Sequence, residues 1–188
     1  MDTTYFTSYF SALEEAIGTV PPLPLAQAAR LLGNARNFHQ RVWIVGNGGS
    51  AATSAHLAND LQKMCGLDVL SLPALISTIT AYGNDIGWSE MFSLAMKSFQ
   101  IGDILVAISC SGTSQNIIEA AKYALEWDGK LIVLTGEVWE GNVLGNMPGV
   151  IIPVKNDDIK IIEDVHLAIC HSICGAIHAM SSLQNKLS

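Results

Sequence analysis

Apolar positions along the chain keep two rhythms. Over Thr3–Ile17 and Leu25–Phe38 they recur every three to four residues, which predicts two amphipathic helices, and between them stands the breaker Val20-Pro21-Pro22-Leu23-Pro24. From residue 42 onward, short contiguous apolar runs alternate with helical stretches. The runs Val42–Val45, Val69–Leu72, Ile104–Ser109, Lys130–Leu134 and Val150–Val154 predict five strands. The intervening Ser50–Met64, Leu75–Ala81, Trp88–Phe99, Ser114–Trp127 and a long segment from Asp158 to Leu183 predict helices, while Val138–Asn146 carries only a weak pattern. Strands that alternate with helices imply right-handed crossovers and a parallel sheet covered on both faces. The expectation is one domain, with residues 1–39 as an outer helical arm and residues 40–188 as the α/β core.

A parallel sheet presents its ligand site at the carboxyl ends of its strands, where the chain turns into a helix. Two such junctions stand out. Ser109-Cys110-Ser111-Gly112-Thr113-Ser114 places four hydroxyls directly before a helix start, whose free N–H groups favour an anion. An ordinary helix cap needs a single hydroxyl, so four point to a phosphate cradle. The first junction, Gly46-Asn47-Gly48-Gly49-Ser50, lacks the third glycine of a dinucleotide fingerprint and the Gly-Lys-Ser/Thr of a P-loop, which argues against NAD and ATP. It reads equally as a tight strand-to-helix turn capped by Ser50.

Behind that turn, His56 and Asp60 stand four residues apart on one helix face, a spacing suited to a divalent metal or an acid–base couple. A second polar cluster, Glu163-Asp164-Val165-His166 through His171, lies on the last helix. Glu163 and His171 are separated by two turns, about 12 Å of axis, so both reach one centre only by extending towards each other, or else serve two subunits. His166 and His178 have a structural reading, and Cys170/Cys174 beside His171 allow a soft-metal site, although packing is the commoner role of such cysteines. Asn84-Asp85, flanked by Gly83 and Gly87, reads as a turn with side chains suited to sugar hydroxyls.

Composition narrows the partners. Hydrophobic residues make up 49% of the 188 and charged residues 14%, which suggests buried surface between copies of the chain. With ten Lys and Arg and a formal charge of −7, no basic footprint for nucleic acid exists. No run approaches a membrane span, the start has no basic leader, and the four cysteines show no C-x-x-C pair, so a cytoplasmic chain with reduced thiols is expected.

Taken in order and spacing, the two junctions, His56, Asn84-Asp85, Leu134-Thr135-Gly136 and the 163–171 cluster resemble the sugar isomerase (SIS) domain family. The pattern is similar to its branch that interconverts sedoheptulose 7-phosphate and D-glycero-D-manno-heptose 7-phosphate. The resemblance implies a three-layer α/β/α sandwich with a five-stranded parallel sheet of flavodoxin type, and a homotetramer with sites at subunit interfaces. It also implies a divalent metal, usually Zn2+. It assigns His56, Asp60, Glu163 and His171 as metal ligands and Asp60 and His171 as the acid–base pair. Asn47, Gly48, Gly49, Ser50, Asp60, Asn84, Asp85, Ser109, Cys110, Ser111, Ser114 and Glu163 would bind substrate. Three positions depart from the family's usual residues: Asp60 replaces Glu, Glu163 replaces Gln, and Cys110 replaces Thr. Relatives of this fold that only bind phosphosugars or regulate replication set the alternative, a non-catalytic protein. The retained His and carboxylate positions favour an aldose–ketose isomerase working through an enediolate.

Overall fold

The structure is a computed structural model that describes residues 2–187, with side chains to residue 182. Five strands form one parallel sheet: β1 Val42–Gly46, β2 Val69–Ser71, β3 Ile104–Ser109, β4 Lys130–Thr135 and β5 Val150–Pro153, in spatial order β2-β1-β3-β4-β5. The inner strands are apolar along their middles, with Ser109, Lys130 and Thr135 only at strand ends, because both faces are covered. Alternation then assigns each residue to one core: Val42, Ile44, Ile104, Val106, Ile108, Ile132 and Leu134 face one layer. Trp43, Val45, Leu105, Ala107, Leu131 and Val133 face the other.

Helices α1 Thr4–Gly18, α2 Pro22–Ala35, α3 Gly48–Cys65 and α7 Ile159–Leu187 cover the first face. The second carries α4 Ile76–Asp85, α5 Met91–Ala95 and α6 Gln115–Glu126, with short 3₁₀ turns at Leu72–Ala74 and Leu144–Asn146. This is the expected three-layer α/β/α sandwich. Among the described residues no helix is long and apolar enough to cross a membrane.

Several boundaries move for physical reasons. α2 begins at Pro22, inside the expected breaker, because first-turn amides have no intrahelical partner and proline fits there. It is also less of an outer arm than its sequence suggests: Ala28, Ala29, Leu32 and Ala35 are buried in the core, whereas α1 buries only Ala16. The stretch 88–99 makes one short helix rather than a long one. After Ala95 the chain tightens through Met96 N–H to Ser93 O and Phe99 N–H to Met96 O, which brings the Phe99 ring to 5.9 Å from Trp43. α3 ends on Gly66 at φ 66°, a left-handed cap whose N–H returns to the Gln62 carbonyl.

The amino ends of the strands are closed by buried Asp103, which accepts from Arg41 N–H at 2.9 Å, Trp43 Nε1–H at 2.9 Å and Gln100 N–H at 3.0 Å. At the carboxyl ends the order reverses between β1 and β3. α3 leaves β1 towards one face while α6 leaves β3 towards the other, which opens a crevice at the switch point.

Candidate active site

The first wall of the crevice is the start of α3. Gly46 ends β1 where a Cβ would stand 2.5 Å from the Ser50 carbonyl, so only glycine lets the helix fold back this tightly. Asn47 is the N-cap, extended at φ −112° and ψ 153°, and its side chain makes no capping bond. The helix thus starts at Gly48, and Ser50, expected as the cap, lies inside the first turn. A Cβ on Gly49 would overlap the Glu163 carboxylate, so this glycine makes room for Glu163.

The opposite wall is the hydroxyl loop after β3. Ser109 Oγ accepts from Gly112 N–H at 3.2 Å and donates to Ser114 Oγ at 3.4 Å. Ser111 Oγ accepts from Thr113 N–H at 3.2 Å and from the Thr113 hydroxyl at 3.0 Å. Ser114 is the N-cap of α6 yet makes no side-chain cap bond, which leaves its hydroxyl and the first-turn amides for a ligand. Gly112 sits at φ 65° against Asn142, whose Nδ2 donates to Thr135 Oγ1 and the Glu137 carbonyl, both at 3.0 Å. The segment with the weak sequence pattern therefore backs the loop from behind.

Between the walls lies a cleft of about 140 Å³ lined by Asn47, Ser50, Ser109, Cys110, Ser111, Ser114 and Glu163. It adjoins a wider chamber of about 380 Å³ that includes Gly136, Glu137, Trp139, Asn156 and Asp157. Burial pushes the Cys110 thiol up to about 11, aided by the Glu163 charge and opposed by a hydrogen bond with Ser50. It is a neutral lining group at physiological pH. Asn84 and Asp85 are not part of this lining. They sit in the last turn of α4 instead of a turn, with Asn84 Nδ2 donating to Asp85 Oδ1 at 2.8 Å. Leu75, Ile79 and Tyr82 pack at helical spacing on the second core, and that burial outweighs the poor helix propensity of Gly83, Asn84 and Asp85.

Between about one and a half and three turns beyond Ser50, α3 carries His56 and then Asp60 beside α7. His171 Nε2 stands 3.1 Å from His56 Nε2, and Asp60 Oδ2 lies 3.3 Å from His56 Nε2 and 3.8 Å from His171 Nε2. Three donor atoms at these separations match the edges of a tetrahedral shell with ligand bonds of about 2.1 Å, near 3.4 Å. Two imidazoles and a carboxylate are also the donor types zinc takes, so the residues fit a divalent ion. Both histidines are half exposed, whereas the Asp60 side chain is 16% exposed.

Glu163 does not join this cluster; it lies two turns earlier on α7, against Gly49. A soft-metal site on Cys170, Cys174 and His171 does not form. Both cysteines are buried in the first core, and burial first of all pushes their thiols up, Cys174 to about 12. His166 is fully buried, with Nε2 at 3.2 Å from the Thr135 carbonyl, and burial drives it down to about 4. His178 Nδ1 is 3.2 Å from the Met64 carbonyl, which ties the end of α3 to the body of α7. Asn116, absent from the candidate residues, proves central: it is fully buried and pairs with Asn47. A carboxamide set among Ile117, Ile118 and Ala120 on the apolar face of α6 was its signal.

Comparison with known proteins bears on the same region. Residues 4–136 match the SIS domain. The chain is 33% identical to the phosphoheptose isomerase of Bordetella avium over 187 residues, 95% of this chain and 93% of that protein. Solved phosphoheptose isomerases superpose closely. That of Neisseria gonorrhoeae gives a TM-score of 0.85 at 33% identity, covering 94% of this chain and 96% of the other. That of Francisella tularensis gives 0.83 at 30% identity, with the same coverage of each.

Proposed function

The chain belongs to the SIS domain family, among its phosphoheptose isomerases, and on that ground we propose that it interconverts sedoheptulose 7-phosphate and D-glycero-D-manno-heptose 7-phosphate. One observation carries the reading: a hydroxyl-lined anion cleft at the sheet's switch point adjoins the helix that holds His56 and Asp60 against His171. The cleft lining contains no Lys or Arg. Ser109, Ser111 and Ser114 together with the positive end of α6 therefore take the phosphate.

Sugar carbons then extend past Asn47 and Glu163 towards the triad. In this reading Asp60 is the base that takes a proton from C1 of the ketose and returns it to C2, and His171 is the group that carries a proton from O1 to O2. His56, Asp60 and His171 would hold a divalent ion, zinc by donor type, with Glu163 as a fourth ligand once its side chain swings off Gly49. When bound, such an ion polarises the substrate oxygens and lowers the energy of the enediolate charge. Ligation and proton carriage draw on the same Nε2 lone pair of His171 and exclude each other at any moment, so titration with metal decides which of the two roles accompanies turnover. The reading extends to a homotetramer in the cytoplasm, in which a second copy covers the half-exposed histidines.

NMR of sedoheptulose 7-phosphate with the protein and zinc in heavy water tests this. The expected result is the heptose aldose, carrying deuterium at C2 to the extent that the proton held on Asp60 exchanges with solvent before its return. Neither turnover nor exchange, with zinc supplied, would overturn it. Turnover that survives complete chelation would leave the acid–base roles and remove the metal.

A further inference from the structure

Resting on that reading, we infer that Asn116 is a positioning residue, which sets the span between the loop that takes the phosphate and the helix that carries His56 and Asp60. Its Nδ2 donates to Asn47 Oδ1 at 2.9 Å, and its Oδ1 accepts from Asn47 Nδ2 at 2.9 Å. Two opposed hydrogen bonds between planar amides form a ring that resists both sliding and twisting. Asn116 Oδ1 also accepts from Ile117 N–H at 3.0 Å. The pair is buried on the Asn116 side, where an unmatched amide would be costly, so separation of the two loops is strongly opposed.

Its place in the fold gives the pair its purpose. The β1–β3 ladder ends with Gly46 opposite Ile108, and the amide ring carries the sheet's spacing beyond that point into the loops. Asn47 caps α3 and Asn116 lies in the first turn of α6. One end of the ring therefore moves with Asp60 and the other with the phosphate cradle. An error in this span displaces the reacting carbon from its base, and a misplacement of about 1 Å costs on the order of 100-fold in rate.

The test is a double-mutant cycle of Asn47→Ala and Asn116→Ala on sedoheptulose 7-phosphate. Asn116→Ala is expected to lower kcat by about 100-fold, with KM, inorganic phosphate affinity and zinc content close to wild type. Because Asn116 acts through Asn47, the double variant should be no slower than Asn47→Ala alone. Should Asn116→Ala not fold, Asn116→Asp keeps the volume but loses the donation to Asn47 and carries the same measurement. Wild-type kcat in the variant, independent losses that multiply, or equal falls in phosphate affinity and Tm would each overturn the assignment. If the wild type does not turn over heptose phosphates, the isomerase reading fails. The clamp is then decided by hydrogen exchange of the Asn47 carboxamide: slow in wild type and fast in Asn116→Ala supports it, equal rates refute it.

Discussion

At the scale of single residues, small environments set chemistry. His166 has an ordinary value near 6.5 when unfolded, and burial brings it to about 4 in the fold. Between those values the unfolded chain binds the extra proton, so stability is full above pH 6.5 and falls as pH drops towards 4, by up to about 3 kcal/mol. Urea melts across this window should show the slope in wild type and a flatter one in His166→Gln. Cys110, held neutral up to about 11, should react with iodoacetamide at pH 8 more slowly than free cysteine. Gly49→Ala makes a sharper case. Its new Cβ meets the flexible end of Glu163 rather than backbone, so the fold should survive with Tm little changed. Turnover with zinc should be kept in the variant, because the displaced carboxylate is freed from Gly49 to join His56, Asp60 and His171.

Elements explain what the sequence made legible. β1, β3 and β4 are readable because strands buried on both faces carry continuous apolar runs between their ends, and α3 because it carries a helical pattern and a glycine stop. α4 was not readable beyond Ala81. Its last turn is held by Tyr82 packing on a core built from distant strands, a force local composition does not record. The hydroxyl loop was visible from residue types alone, but its support was not: Asn142 reaches it from the next crossover. Gly112→Ala joins a left-handed backbone, φ 65°, with overlap onto Asn142. The substitution should cost about 2–4 kcal/mol in denaturant melts and weaken phosphate binding, since strain and overpacking add.

For the whole molecule, α1 displays Tyr5, Phe6 and Phe10, each more than half exposed, along a helix that buries a single residue. That aromatic face suits an interface, and the proposed tetramer, at four times the 20.1 kDa chain, would have a mass of about 80 kDa. Light scattering should find that mass, and Phe6→Ser/Phe10→Ser should lower it along with activity. The site itself was half legible. His56 and Asp60 share a face by spacing alone, whereas their meeting with His171 depends on α3 and α7 running parallel side by side, Gly49 at Glu163, His56 at His171 and Cys65 at Cys174. That arrangement also has a meaning in time. His56 leaves the ribosome 115 residues before His171, so the cluster of His56, Asp60 and His171 stays incomplete until α7 has been made, and the cleft wall at Glu163 arrives with the same helix. Turnover should therefore switch on only when α7 docks, which makes catalysis a reporter of that docking.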